Sequence, residues 1–252
     1  MITNGIWTIA PPSGIHEAFA KLADEFTVRT STVRYGCDMK LSTILLIGLA
    51  SACASVPVAL VALPPAEAWE IGPWARGRNY SVGMPANPSP GPGGTLFMDF
   101  PIAGAGQVDA LTTAVGPLAG ARQITLTYRV DAARGTSFVA DELPNEPATI
   151  SLYFQRAGDN WSSRGRSASN RWYSPGHAVV PLRPGRHTIT VGLDETWTNV
   201  NGTPNNQDPD GFEAALQNTA RIGMAFGSPS RRSHGVYATG PARFTLLNWD
   251  IR

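Results

Sequence analysis

An all-β, two-sheet antiparallel β-sandwich of jelly-roll type is the fold this sequence predicts, and three observations predict it. Short runs of alternating apolar and polar residues recur from residue 95 to the end. Gly and Pro, at 26 and 21 of 252 residues, separate those runs throughout. Only one short stretch, residues 210–219, has a helical period. Short strands set between turn residues are the pattern of a sandwich or barrel. No repeat at 20–50 residues is apparent, which disfavours a propeller or solenoid.

The chain divides before the first strand. Residues 39–68 read MKLSTILLIGLASACASVPVALVALPPAEA. Met39 and Lys40 open it, residues 41–63 are apolar and uncharged, and Ala66-Glu67-Ala68 is an A-x-A cleavage signal after a Pro pair. That layout predicts a secretory signal peptide, with residues 1–38 an upstream extension outside the fold and residues 69–252 the exported domain. A bilayer span needs about 20 apolar residues. A signal anchor over 41–63, with Arg34 and Lys40 on the cytoplasmic side, is therefore the first alternative. Pro57 and the small residues Gly48, Ala50, Ser51 and Ala52 count against it. Lipidation at Cys53 is the second, since residues 49–53 resemble a lipobox, although Ala50 stands where such boxes carry Leu.

Both cysteines, Cys37 and Cys53, precede the proposed cut. The domain after it therefore has no disulfide, thiol nucleophile or Cys metal site. At 184 residues it is long enough to hold together on a core alone. Its 16 cationic residues are all Arg, against 14 acids (19 in the chain, less Glu17, Asp24, Glu25, Asp38 and Glu67). A net charge of +2 disfavours nucleic acid as a partner. Arginine gives planar, bidentate recognition of carboxylates and sulfates.

The elements follow in order. Residues 69–74 and 79–84 read as edge pieces. Residues 85–94, PANPSPGPGG, read as a loop that cannot form a ladder. Residues 95–100 alternate Leu96, Met98 and Phe100 against Phe97 and Asp99; residues 108–115 are a weaker strand. Residues 123–130 are the best strand, with Ile124, Leu126, Tyr128 and Val130 on one face. Residues 149–155 place Ile150, Leu152 and Phe154 inside and Ser151, Tyr153 and Gln155 outside. Residues 188–193 repeat the pattern. In the helix, Phe212, Ala215 and Leu216 share a face. Residues 221–227, 234–238 and 242–251 close the set. A three-residue step from Leu246 to Trp249 predicts a bulge near Leu247 and Asn248.

The segments RWYSPGH (171–177), LRPGRHTITVGLDETWTNV (182–200), RIGMAFG (221–227) and HGVYATGPARFTLLNWDI (234–251) together resemble the galactose-binding-like jelly-roll superfamily. The resemblance covers roughly residues 124–252. It implies two antiparallel sheets, a sugar ligand on a concave face or at rim loops, and a possible structural calcium. One fold hosts many functions, so the site must be argued from its own residues.

Trp161, Trp172, Tyr173 and Trp197 lie in or beside polar loops. Flat apolar rings with a polar handle suit stacking on a pyranose. Arg164, Arg166 and Arg171 stand among them, so these seven residues are the candidate glycan site; the competing reading places the rings over the ends of the core. Trp249 reads as core. Asp208 and Asp210, in an oxygen-rich stretch, are candidate calcium ligands; the competing reading has Asp210 capping the helix, with Glu213 completing a capping box. Glu70 and Asp250 are a second candidate pair, on the analogy that such folds bring their ends together. No cofactor is otherwise implied.

The most economical function is a non-catalytic, exported glycan-binding domain. The alternatives are a polysaccharide lyase or glycosidase, and a structural or protein-binding sandwich. Asp194-Glu195 and Asp141-Glu142 are adjacent pairs that sequence cannot place across a cleft. His177, His187 and His234 fall in no hydrolase motif. The lyase alternative would use Arg171, Tyr173 and His177 of RWYSPGH. Residues 91–94 and 104–106 lack the context of phosphate loops. N-terminal sequencing of the secreted protein should find Trp69 first. A product beginning at lipidated Cys53, or retaining Met39, would refute the cleavage assignment.

Overall fold

The computed structural model describes residues 63–252. The proposed extension 1–38, the leader as far as residue 62 and Cys53 lie outside the described residues. In chain order the strands are β1 (Trp69–Gly72), β2 (Trp74–Ala75), β3 (Arg78–Asn79), β4 (Ser89–Pro90), β5 (Leu96–Asp99), β6 (Ala110–Ala114), β7 (Gln123–Ala132) and β8 (Phe138–Ala140). They continue as β9 (Thr149–Arg156), β10 (Arg171–Tyr173), β11 (Val180–Pro181), β12 (Gly185–Gly192) and β13 (Thr198–Asn199). Helix α1 (Pro209–Gln217) follows, then β14 (Thr219–Gly227), β15 (Val236–Ala238) and β16 (Ala242–Ile251).

Two antiparallel sheets form a sandwich. One runs β1-β6-β14-β9-β10-β13, with β11 also paired to β9; the other runs β12-β7-β16-β5-β4. Period-two alternation explains why they stack. Ile124, Leu126, Val130, Ile189, Val191, Phe244 and Leu246 of one sheet share a core with Ile150, Leu152, Phe154, Ile222, Met224 and Phe226 of the other. Phe226 and Phe244 meet edge to face at 5.6 Å across the two sheets. The first and last strands are clasped in the same way, with Trp69 and Trp249 at 5.5 Å. The opposite face of the five-stranded sheet is polar. Thr125 pairs with Thr190 and Thr127 with Thr188, each at 3.1 Å. Arg129 there is exposed and bonds Asp131 at 2.8 Å.

The β16 bulge falls where the three-residue step predicts it, with a register shift between Leu246 and Asn248. Helix α1 buries Phe212, Ala215 and Leu216 against the core, the face the sequence predicts. Its cap is different. Asp208, not Asp210, accepts from Gly211 N at 3.2 Å, because Pro209 takes the first helical position. Two further expectations are corrected. The expected strand over residues 79–84 ends at Asn79, the last residue of β3, because Asn79 Oδ1 accepts from Ser81 N at 2.9 Å and turns the chain. Residues 85–94 do join a ladder, since Ser89 and Pro90 pair with Phe97 and Leu96. Pro90 is tolerated because β4 is the sheet edge.

The A-x-A segment lies against the domain. Ala66–Ala68 form a 3-10 turn with Ala66 buried, and Trp69 Nε1 donates to Pro64 O at 3.2 Å. Among the described residues no helix is long and apolar enough to cross a membrane.

Leu126 and Phe154 are fully buried on facing sheets. Leu126→Ala or Phe154→Ala should therefore cost about 2–5 kcal/mol, and Arg129→Ala well under about 1 kcal/mol. Urea midpoints measure all three; equal shifts for Leu126→Ala and Arg129→Ala would reverse the assignment of faces.

Candidate functional site

Strand β9 has no solvent-facing side until its last residue. One face packs into the sandwich. On the other lie Ser151, Tyr153 and Gln155, all buried. Neighbouring strands add Thr112 and Ala110 from β6, Arg221 and Ala225 from β14, and Arg171 and Tyr173 from β10. Tyr153, Tyr173, Ala110 and Ala225 form a second apolar cluster, with Trp161 and Val200 packed on it. Gly223 lies between Thr112 and Tyr153, where a Cβ would meet Leu111 O at 2.2 Å. With no side chain there, the Tyr153 hydroxyl bonds Thr112 Oγ1. Burial pushes the Tyr153 phenol well above its ordinary pKa.

Polar groups under cover need partners, and Arg171 has a buried one. Its Nη1 bonds Asp159 Oδ2 at 3.0 Å, with side chains only 3% and 1% exposed. Gln155 Nε2 donates to the same oxygen at 2.7 Å, and Trp161 N donates to Oδ1 at 3.2 Å. The guanidinium lies 4.1 Å from the Trp161 ring centroid and 6.0 Å from that of Tyr173. Arg171 Nε has no hydrogen-bond partner among the described residues. Trp161 itself has φ = 63°. A left-handed backbone at a bulky residue costs about 1–3 kcal/mol and persists only where its surroundings impose it.

Above this layer opens a cavity of about 600 Å³, within the range of ligand-binding clefts. Three aromatic rings line it: Tyr80, Trp161 and Tyr173. So do Arg76, Arg171, Arg231 and Arg232. Arg232 Nη1 donates to Ser174 O at 2.6 Å and stands 5.8 Å from the Tyr173 ring. Burial lowers its pKa below the usual arginine value. The three non-glycine residues with left-handed backbones among the described residues are Arg76, Trp161 and Ser233, and all three line this cavity. Backbone strain is thus concentrated at one place. A shallower cavity of about 360 Å³ adjoins it, sharing Ala75, Arg76 and Asn160 and lined by the exposed Trp74.

The cavity also holds acids. Asp109, just before β6, is 4% exposed, and its carboxyl accepts from Gln107 Nε2 at 3.2 Å. Burial pushes its pKa from 3.8 up to about 8, with a smaller push from Asp141 and Glu142. The group is therefore neutral at pH 7. Its raised folded-state pKa adds stability that is complete below 3.8 and is lost as pH climbs through about 8. Glu142 pairs with His234 Nδ1 at 2.8 Å on the same rim.

Of the seven residues the sequence put forward for a glycan site, the structure brings Trp161, Arg171 and Tyr173 to this cavity. Arg164 lines the shallower one, and Arg166 is exposed beside neither. Trp172 and Trp197 are corrected: both are fully buried in the core. Alternation along β10 sends Trp172 to the face opposite Arg171 and Tyr173, where it meets Phe212 at 4.9 Å. Trp197 packs on Phe154 at 5.2 Å and donates to Gly192 O at 2.9 Å. Trp249 is core, as expected. His177 does not join Arg171 and Tyr173; it pairs with Glu195 at 3.3 Å.

The proposed calcium ligands are dispersed. Asp208 caps α1 and accepts from Ser169 Oγ, while Asp210 is exposed in the first helical turn. Glu70 and Asp250 follow the clasped Trp69 and Trp249 and so point outward from different sheets. Glu70 makes a bidentate pair with Arg221, at 3.0 and 2.9 Å, and Asp250 pairs with Arg252. No group of three or more acids, His or Cys able to hold a metal occurs among the described residues. The oxygen-rich stretch serves turns instead: Asn199 Oδ1 accepts from Asn201 N and Thr203 N.

No family model matches the chain, and no curated protein matches it. A solved structure is similar at 11% identity and a TM-score of 0.35, over 76% of this chain and 93% of that one. It was described with endo-acting O-glycanases that prominent members of the human gut microbiota express to initiate mucin breakdown.

Breaking the buried pair should be costly. Asp159→Ala leaves an uncompensated guanidinium and should destabilise the fold by about 3–5 kcal/mol. Asp99→Ala removes the partner of an exposed bridge to Arg243, and should cost under about 1 kcal/mol. Chemical denaturation compares the two; equal losses would show that the Arg171–Asp159 pair is not structural.

Proposed function

We propose that the protein is an exported domain that binds an acidic glycan in the 600 Å³ cavity. The observation that supports it is the setting of Trp161. A strained backbone and the buried Arg171–Asp159 pair hold its ring at the wall of a cavity that four arginines line. A ring fixed in this way offers a stacking face for a sugar at low entropic cost. Arg76, Arg231 and Arg232 offer forked donors for carboxylates or sulfates. Asn160 and Asn201 on the same walls suit neutral hydroxyls. Arg171 already spends one donor on Asp159, so its part is to position Trp161. The leader pattern over residues 39–68 supports export, and an exported domain meets polysaccharides.

Stacking with a few charged contacts gives micromolar to millimolar affinity, about −8 to −4 kcal/mol. Calorimetric titration of the purified protein with uronic-acid and neutral oligosaccharides should favour the acidic set, with binding weakened by added salt. Trp161→Ala, folded by its denaturation curve, should lose at least about tenfold in affinity, the equivalent of 1.4 kcal/mol. Unchanged affinity removes Trp161 from the site. No binding of any oligosaccharide at millimolar concentration ends the glycan reading.

A further inference from the structure

We propose that this cavity also cleaves its ligand, with Asp109 giving a proton to the bridging oxygen of a glycosidic bond while water adds at the anomeric carbon. The inference rests on the reading that an acidic glycan occupies the cavity. It starts from the placement of Asp109. The residue is almost wholly buried, yet it lines the cavity. Its backbone is clamped on both sides: its N donates to Ser81 Oγ at 2.8 Å, and its carbonyl accepts from Phe226 N at 2.8 Å. Gln107 holds one carboxyl oxygen. Among the described residues no cation is paired with it, although four arginines line the same cavity.

A surface built only to hold an anion gains nothing from a carboxyl group set into its wall. Ionised, it would repel the ligand. Protonated, it is a proton donor in the cavity wall. Its surroundings keep it protonated, chiefly by desolvation; Asp141 and Glu142 act in the same direction, and Gln107 opposes them. Arg76, Tyr80, Arg171, Tyr173, Arg231, Arg232 and His234 are the other titratable groups on the cavity wall. A neutral acid near the working pH is what protonation of a leaving oxygen requires.

The second group is Glu142, held by His234 on the rim. In the step, the bond between the anomeric carbon and the bridging oxygen breaks, and that oxygen takes the Asp109 proton. The water oxygen bonds to the anomeric carbon, and its proton passes to Glu142. Glu142 then releases that proton to solvent and solvent returns one to Asp109, which restores both groups. Two shorter sugars result, one with a new reducing end, and nothing is oxidised or reduced.

The test uses the full-length protein with galacturonate and glucuronate hexasaccharides, following binding by calorimetry and cleavage by new reducing ends. The wild type should bind and cleave, with the rate falling as pH rises through about 8. Asp109→Asn should still bind but cleave about 100-fold more slowly or worse. Glu142→Gln, at an exposed position where folding is not in question, should also lose cleavage. Binding without cleavage by the wild type overturns this inference and leaves the binding function standing. Wild-type cleavage by either variant overturns it too. If neither hexasaccharide binds, the glycan reading fails and takes this one with it.

Discussion

Burial of one sheet on both faces is the constraint that shapes this molecule. Strand β9 packs one side into the sandwich and the other beneath loops, so its residues stay covered almost to the end. Ordinary sandwich sheets present a wet outer face, where polar side chains find water without help. Here they cannot. Thr112, Tyr153, Gln155 and Arg171 must satisfy one another or draw partners from the loops, since an unpaired polar group in that layer is expensive. Asp159 is the partner that the loop after β9 supplies to Arg171 and Gln155. Once the carboxylate is placed, the backbone of Trp161 is bound to it two residues later. The covered layer thereby fixes the wall of the cavity above it.

The two sheets divide the labour. The five-stranded sheet carries threonine pairs and arginine–acid pairs on its outer face. The strained residues lie in connections outside the seven-stranded sheet: Trp161 follows β9, Ser233 follows β14, and Arg76 turns the separate β2–β3 hairpin. Rigidity comes from the shared core of Phe, Trp, Leu and Ile. The loops that β9, β10 and β14 support can then hold side chains in costly conformations without loss of the fold.

The sandwich was legible because alternation over eight or more residues is a strong signal. Strands β7, β9 and β16 all show it, and the bulge in β16 showed as a break in that period. Helix α1 was legible for the same reason, at 3.6 residues. Strand β10 was not. Three residues, Arg171, Trp172 and Tyr173, are too few for a period, so its two faces could not be told apart and Trp172 was grouped with its neighbours. Asp159 gave no signal, because the partner of a buried arginine is chosen by tertiary approach and lies twelve residues away along an irregular loop. Asp109 was equally silent: burial, which sequence does not display, is what raises its pKa. Asp208 could have been found from Pro209, which favours the first helical position and so marks the residue before it as the cap.

The clasp between Trp69 and Trp249 makes the domain nearly a closed ring. The start of the first strand faces the end of the last one, with β1 at the edge of its sheet and β16 in the middle of the other. The place where the chain is opened can then move while the cyclic order of the strands is kept. A short peptide joining the end of β16 to the start of β1 would close the loop with little entropy lost. New ends could be opened at the exposed turn around Gly104, where a Cβ would meet nothing within 4 Å, and the sandwich would be expected to keep its pairing. The same geometry lets the domain be spliced into a longer chain as a side-mounted unit, its cavity carried on loops that neither junction touches.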